Sequence, residues 1–166
     1  MIRMAIMGHD ESLFSEKYKL EKCVDDLMFA LKNDHSDCRI LVNGALGISN
    51  RICEKAIEKE ISFKLFLPFS VDEYNRIGKN EEAELIQRYL TNKFCCGLYV
   101  HKPDYKEISY QIRNEKMLSE ANILFVFWLG RRRGETYWCA KYAIERGIQT
   151  FNAYGDKIIQ LQKKDL

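Results

Sequence analysis

Ile123-Leu-Phe-Val-Phe-Trp128, followed by the glycine-bounded turn Gly130-Arg131-Arg132-Arg133-Gly134-Glu135-Thr136, decides the architecture. Consecutive apolar residues without alternation predict a strand covered on both faces, the mark of a central strand in a parallel sheet between helical layers. Beyond the turn, Thr136 to Arg146 predicts a helix closed by Gly147, ahead of a last strand at Gln149 to Ala153.

The same alternation runs upstream. Ile2 to Met7 reads as a first strand, and Leu20, Cys23, Val24, Leu27, Met28 and Leu31 form the apolar stripe of the helix after it. Arg39 to Val42 predicts a second strand, Ser49 to Lys59 a helix, and Ser62 to Leu67 a third strand stopped at Pro68. Ser70-x-x-Glu73 is a capping-box pattern, and Glu81 to Leu90 predicts a further helix. Phe94 to Val100 reads as a strand or extended connection, Asp104 to Ser119 as a helix, and the polar tail from Asp156 as the sheet's edge or a frayed end. The expected fold is α/β and Rossmann-like: a doubly wound, mainly parallel sheet with helices on both faces, in one domain over residues 1–166.

Composition narrows the function classes. Twenty-six Lys and Arg against 24 Asp and Glu leave a formal charge of +2, too little for attraction to nucleic acid through bulk charge, so nucleic acid is not an expected partner. The longest apolar run, Ile123 to Leu129, is far short of the roughly 20 residues of a membrane-spanning helix. Neither a signal peptide nor a membrane partner is expected. The six cysteines show no Cys-x-x-Cys spacing and read as reduced, buried thiols of a cytoplasmic protein. With three scattered histidines, neither a metal nor a cofactor is expected.

In open parallel sheets ligands bind at the carboxyl ends of the strands, so the residues after each strand are the candidates. Gly8 and His9 follow the first strand, where glycine admits close backbone approach and His9 offers a hydrogen bond or a stacking face. Gly44, Ala45, Gly47 and Ser49 lead from the second strand into a helix start, whose free N–H groups can hold a phosphate. Gly130, Arg133, Gly134, Glu135 and Thr136 form a second such loop, with guanidinium groups for a phosphate or diphosphate. On the helix before it, Tyr110, Arg113, Asn114 and Met117 share one face. A buried Arg-Asn pair needs partners, supplied either by an anionic ligand or by the neighbouring loops it would tie together.

Taken in order, the glycine after the first strand, Gly44-Ala45-x-Gly47, Tyr110-x-x-Arg113-Asn114-x-x-Met117-x-x-x-x-Asn122 and Gly134-x-Thr136 resemble the SLOG superfamily. That group includes the Lonely Guy (LOG) phosphoribohydrolases and the Rossmann-like domain of the DNA-processing protein. The resemblance implies a fold that binds nucleotides or nucleotide-derived ligands, as a homodimer. LOG enzymes carry Pro-Gly-Gly-x-Gly-Thr-x-x-Glu, whose last Glu serves cleavage of the N-glycosidic bond; that position is Cys139 here, and a neutral thiol cannot replace a carboxylate. The early loop of stand-alone members, Gly-Gly-Ala-x-Gly-x-Asp, has Asn43 and Ser49 at its first and last places.

The leading expectation is therefore binding, for sensing or sequestration, of a nucleotide-derived small molecule such as an ADP-ribose-like or cyclic nucleotide compound. Gly44, Ala45, Gly47 and Ser49 would hold one phosphate. Gly134, Glu135 and Thr136 would hold another with Arg113 and a loop arginine, while His9, Tyr110 or Trp138 stacks on a base. The alternative is an N-glycoside hydrolase or ribosyl-transferring enzyme with Glu135 as the candidate catalytic carboxylate, or Glu73 or Glu115 if either reaches the site. A single-strand nucleic-acid module is disfavoured by the charge balance, and an interaction scaffold would bind no small molecule.

Overall fold

The computed structural model describes every residue of the 166 except His35, Ser36, Ala45 and Pro103. Its elements are β1 (Ile2–Gly8), α1 (Lys17–Asp34), β2 (Cys38–Val42), α2 (Ile48–Glu58), β3 (Phe63–Leu67), α3 (Val71–Arg76), α4 (Asn80–Leu90), β4 (Cys95–Val100), α5 (Ile108–Glu120), β5 (Ile123–Phe127), α6 (Gly134–Glu145), β6 (Gln149–Asn152) and β7 (Ile159–Gln160). The sheet order is β4-β3-β2-β1-β5-β6-β7. All pairings are parallel except that of β7 with β6.

The pleat sorts the core into two layers. Met4, Ile6, Ile40, Val42, Phe125 and Phe127 pack with the α1 stripe, with Ile52 and Ala56 of α2 and with Ile86 of α4. Ala5, Met7, Leu41, Leu124 and Val126 pack on the other side with Met117 and Leu118 of α5 and Cys139, Ala140 and Ala143 of α6. Every residue of β5 from Leu124 to Phe127 is thus buried, as its unbroken apolar run requires.

One element differs from expectation, and two settle readings that the sequence left open. Helix α5 starts at Ile108 rather than Asp104, because the Tyr105 N–H donates to Glu73 Oε1 at 2.7 Å and ties the residues ahead of the helix to α3. Segment β4 is a full strand at one edge of the sheet, parallel to β3. The tail beyond β6 returns as the antiparallel β7, and Leu161 buries against the α5 and α6 layer. Among the described residues, no helix is long and apolar enough to cross a membrane.

Candidate functional site

The winding of the sheet reverses between β1 and β5, the strands on either side of the switch point, and this is where open α/β sheets leave a crevice at their carboxyl edge. Gly8 closes β1 in a space that admits no side chain: a Cβ there would stand 2.8 Å from Ile48 Cγ1 and 2.9 Å from Phe127 Cβ. His9 follows, its N–H donating to the Phe127 carbonyl at 3.3 Å. The ring is 8 % exposed, and its buried Nε2 has no hydrogen-bond partner among the described residues. Burial, and then the charge of Arg131, push its pKa below the usual histidine value.

The arginine loop is anchored from below. Trp128, buried at the end of β5, donates its Nε1–H to the Arg131 carbonyl at 2.9 Å, and its backbone is clasped by the Asn152 amide. Gly130, Arg131, Arg132, Arg133 and Gly134 are all exposed. The arginine ion pairs among the described residues use Arg51, Arg76, Arg88 and Arg113, so the three loop guanidiniums carry uncompensated charge.

Arg113 has a different setting. It is 1 % exposed and donates through Nη1 to the Asn43 carbonyl at 2.9 Å, through Nε to Asn114 Oδ1 at 2.9 Å and through Nη2 to Glu135 Oε1 at 2.5 Å. Asn114 Nδ2 also reaches Glu135 Oε1, at 2.6 Å, and Asn43 Nδ2 does so at 3.4 Å. Ser49 donates its hydroxyl to Asn43 Oδ1. The residues after β2, on α5 and at the start of α6 thus meet in one network, although Arg113 and Asn43 lie 70 positions apart in sequence.

This geometry redistributes the roles of the candidate residues. Each of the three Arg113 nitrogens donates to a protein acceptor, so of the two partners the sequence leaves open it has the loops. Ser49 and Thr136 are buried, and the Ser49 hydroxyl is spent on Asn43. Gly44 and Gly47 turn the chain into α2 with left-handed φ values of 58° and 80°; Ala45 lies outside the described residues. Tyr110, Asn114, Gly134 and Glu135 line a cleft of about 250 Å³ between the N-terminal turns of α5 and α6, with Trp138 and Glu107 on its walls. Cys139 is fully buried, and burial raises its thiol pKa well above the usual value, so it does not face that cleft. Neither Glu73 nor Glu115 lines it. Glu73 instead serves Arg76 and Tyr105.

Solved structures share this architecture. The fold is Rossmann-like. DNA processing protein A from Helicobacter pylori is similar over 91 % of this chain, with TM-score 0.67 and 19 % sequence identity. Its counterpart from Streptococcus pneumoniae is similar over 93 %, with TM-score 0.66 and 14 % identity. The likeness takes in 64 % and 53 % of those two longer chains. No protein-family model matches the sequence, and no curated protein matches it.

One expectation is corrected by this likeness. The Helicobacter pylori protein binds single-stranded DNA, so the small net charge is no ground for excluding nucleic acid as a partner of this fold. The physical reason is that phosphate contacts are local: a loop with three unpaired arginines can engage a backbone whatever the charge of the whole chain.

Proposed function

We propose that the protein binds a nucleotide-derived, phosphate-bearing ligand, of the ADP-ribose-like or cyclic nucleotide kind, at the carboxyl edge of the sheet, and that it senses or sequesters it. The observation that carries this reading is His9, whose buried Nε2 lacks a partner among the described residues and lies near Arg131, which makes no ion pair among them. Leaving a buried polar atom unsatisfied costs about 1–3 kcal/mol; an anionic oxygen that accepts from the Nε2–H of a neutral imidazole and from a guanidinium removes that cost. Cys139 at the position of the LOG carboxylate favours binding over N-glycosidic hydrolysis, for which Glu135 is the carboxylate left in the cleft.

A second reading, a segment of single-stranded nucleic acid on the same arginine loop, is favoured by the likeness to a single-stranded-DNA-binding protein. Thermal-shift titrations with ADP-ribose, nucleoside monophosphates and cyclic nucleotides, beside anisotropy with a labelled oligothymidylate, separate the two. A concentration-dependent shift with an intact small molecule supports the first reading. Anisotropy change alone supports the second, released free base supports the hydrolase, and silence in every arm overturns all three.

A further inference from the structure

The cleft between α5 and α6 has a lining unsuited to phosphate. Two carboxylates, Glu107 and Glu135, stand in it with Tyr110, Gln111, Asn114 and Trp138, and no lysine, arginine or histidine does. Of the cations behind this lining, Arg113 is buried and paired with Glu135, and Lys79, 6.0 Å from the Tyr110 ring, is paired with Glu82. An incoming phosphate would meet like charge.

Glu135 is held in a particular way. Its Oε1 accepts from Arg113, Asn114 and Asn43, which fixes the carboxyl group, while Oε2 makes no hydrogen bond among the described residues. The side chain is 45 % exposed. A fixed carboxylate acceptor therefore stands in the cleft, open to a hydrogen-bond donor. The aromatic walls are fixed too. Trp138 packs on Tyr142 at 4.9 Å between ring centroids, and the Arg146 guanidinium covers Tyr142 at 3.5 Å. Tyr110 is braced edge-on by Phe69 at 5.7 Å. A volume of about 250 Å³ falls below the roughly 300 Å³ at which pockets for drug-sized molecules begin, so it suits one planar ring system and not a whole dinucleotide. Gly134, at its rim, directly follows Arg133, so a ring in the cleft and a phosphate on the loop are neighbours.

From these observations we infer that the α5–α6 cleft is a nucleobase pocket in which Glu135 Oε2 reads an exocyclic amine, making the protein selective for amino-bearing bases. The inference rests on the proposed binding of a nucleotide-derived ligand and assigns the part of that ligand that the phosphate loop does not hold.

Isothermal titration calorimetry tests it with two matched pairs and a control: AMP against nebularine 5′-monophosphate, which lacks the amine; CMP against UMP, which has a carbonyl in its place; and ribose 5-phosphate, which has no base. In the wild-type protein at least one pair should discriminate in favour of the amine by about tenfold, the value of one charge-assisted hydrogen bond. Glu135→Gln keeps an acceptor for Arg113 but can turn a donor to the cleft, so the preference should vanish or reverse while ribose 5-phosphate binding holds. Trp138→Leu, which leaves the polar network intact, should weaken the base-bearing ligands alone. Equal affinity within both pairs, or equal loss for AMP and nebularine 5′-monophosphate in Glu135→Gln, as a contact to ribose hydroxyls would give, overturns the base pocket and leaves phosphate binding standing. No binding of any probe, ribose 5-phosphate included, overturns the proposed function and this inference together.

Discussion

The Arg113 guanidinium and the Glu135 carboxylate meet at 2.5 Å across the gap between α5 and α6. Arg113 is almost wholly buried while Glu135 is about half exposed, so loss of the arginine leaves a carboxylate that water can reach. Breaking a fully buried pair costs roughly 3–5 kcal/mol; with one partner solvated we expect Arg113→Ala to lose about 2–3 kcal/mol in chemical denaturation. Glu135→Gln should lose less, because an acceptor remains. A neutral Arg113→Ala variant would mean that the network does not hold the two helices together.

Gly8→Ala tests the close packing at the end of β1. The added methyl meets Ile48 and Phe127 below 3 Å, and overpacking of this kind costs about 1–3 kcal/mol. Thermal unfolding with an unchanged midpoint would show that α2 can draw back from the strand.

Replacing Arg131, Arg132 and Arg133 by glutamine takes the formal charge from +2 to −1, by subtraction of three. Since these side chains make no ion pairs among the described residues, stability should stay within about 0.5 kcal/mol of wild type. Affinity for ADP-ribose or for oligothymidylate should fall, and the salt dependence of oligothymidylate binding should flatten by about 0.7 in logarithmic slope for each phosphate that the protein no longer engages. An unchanged slope would remove the loop from the phosphate site.

Acid should loosen the segment before α5. Arg76, and then the Tyr105 N–H, hold Glu73 down to about 2. A carboxylate lowered on folding stabilises fully above its unfolded value and loses that contribution as pH falls through its folded one. Amide exchange at Tyr105, corrected for intrinsic rates, should therefore stay protected down to about pH 4 and become less protected toward pH 2. Glu73→Gln should show weaker protection at neutral pH and converge with the wild type toward pH 2; identical profiles for the two proteins would dissociate Tyr105 from Glu73.

Thiol labelling reads the two core layers. Cys96 is exposed, whereas Cys53 and Cys139 are fully buried and burial raises both thiol pKa values. Mass-mapped alkylation of the native protein should modify Cys96 first and reach Cys53 and Cys139 only on unfolding. Cys139 reacting as fast as Cys96 would contradict the packing of α6 on the sheet.

What could be read from the chain was what neighbouring residues decide among themselves. The α1 stripe, the apolar run of β5, the Ser70 cap and the shared face of Arg113, Asn114 and Met117 rest on periodicity or on contacts within a few positions, and the folded chain keeps each. The late start of α5 was hidden, because the Tyr105 N–H finds its acceptor 32 positions back, on Glu73. The same holds for the antiparallel return of β7, which needs β6 as an edge to pair with.

The candidate site divides along the same line. Sequence alone determined that glycine turns, an arginine loop and an Arg-Asn helix face would gather at the carboxyl ends of parallel strands, because strand and helix patterns dictate where those ends lie. Tertiary structure alone decided that Arg113 is engaged by Glu135 and Asn43, that Ser49 turns inward, that His9 Nε2 is buried without a partner among the described residues, and that the cleft beside them carries negative charge. The Arg113 contacts span 22 and 70 positions of chain, and electrostatic pairing at such range is fixed by packing, not by spacing.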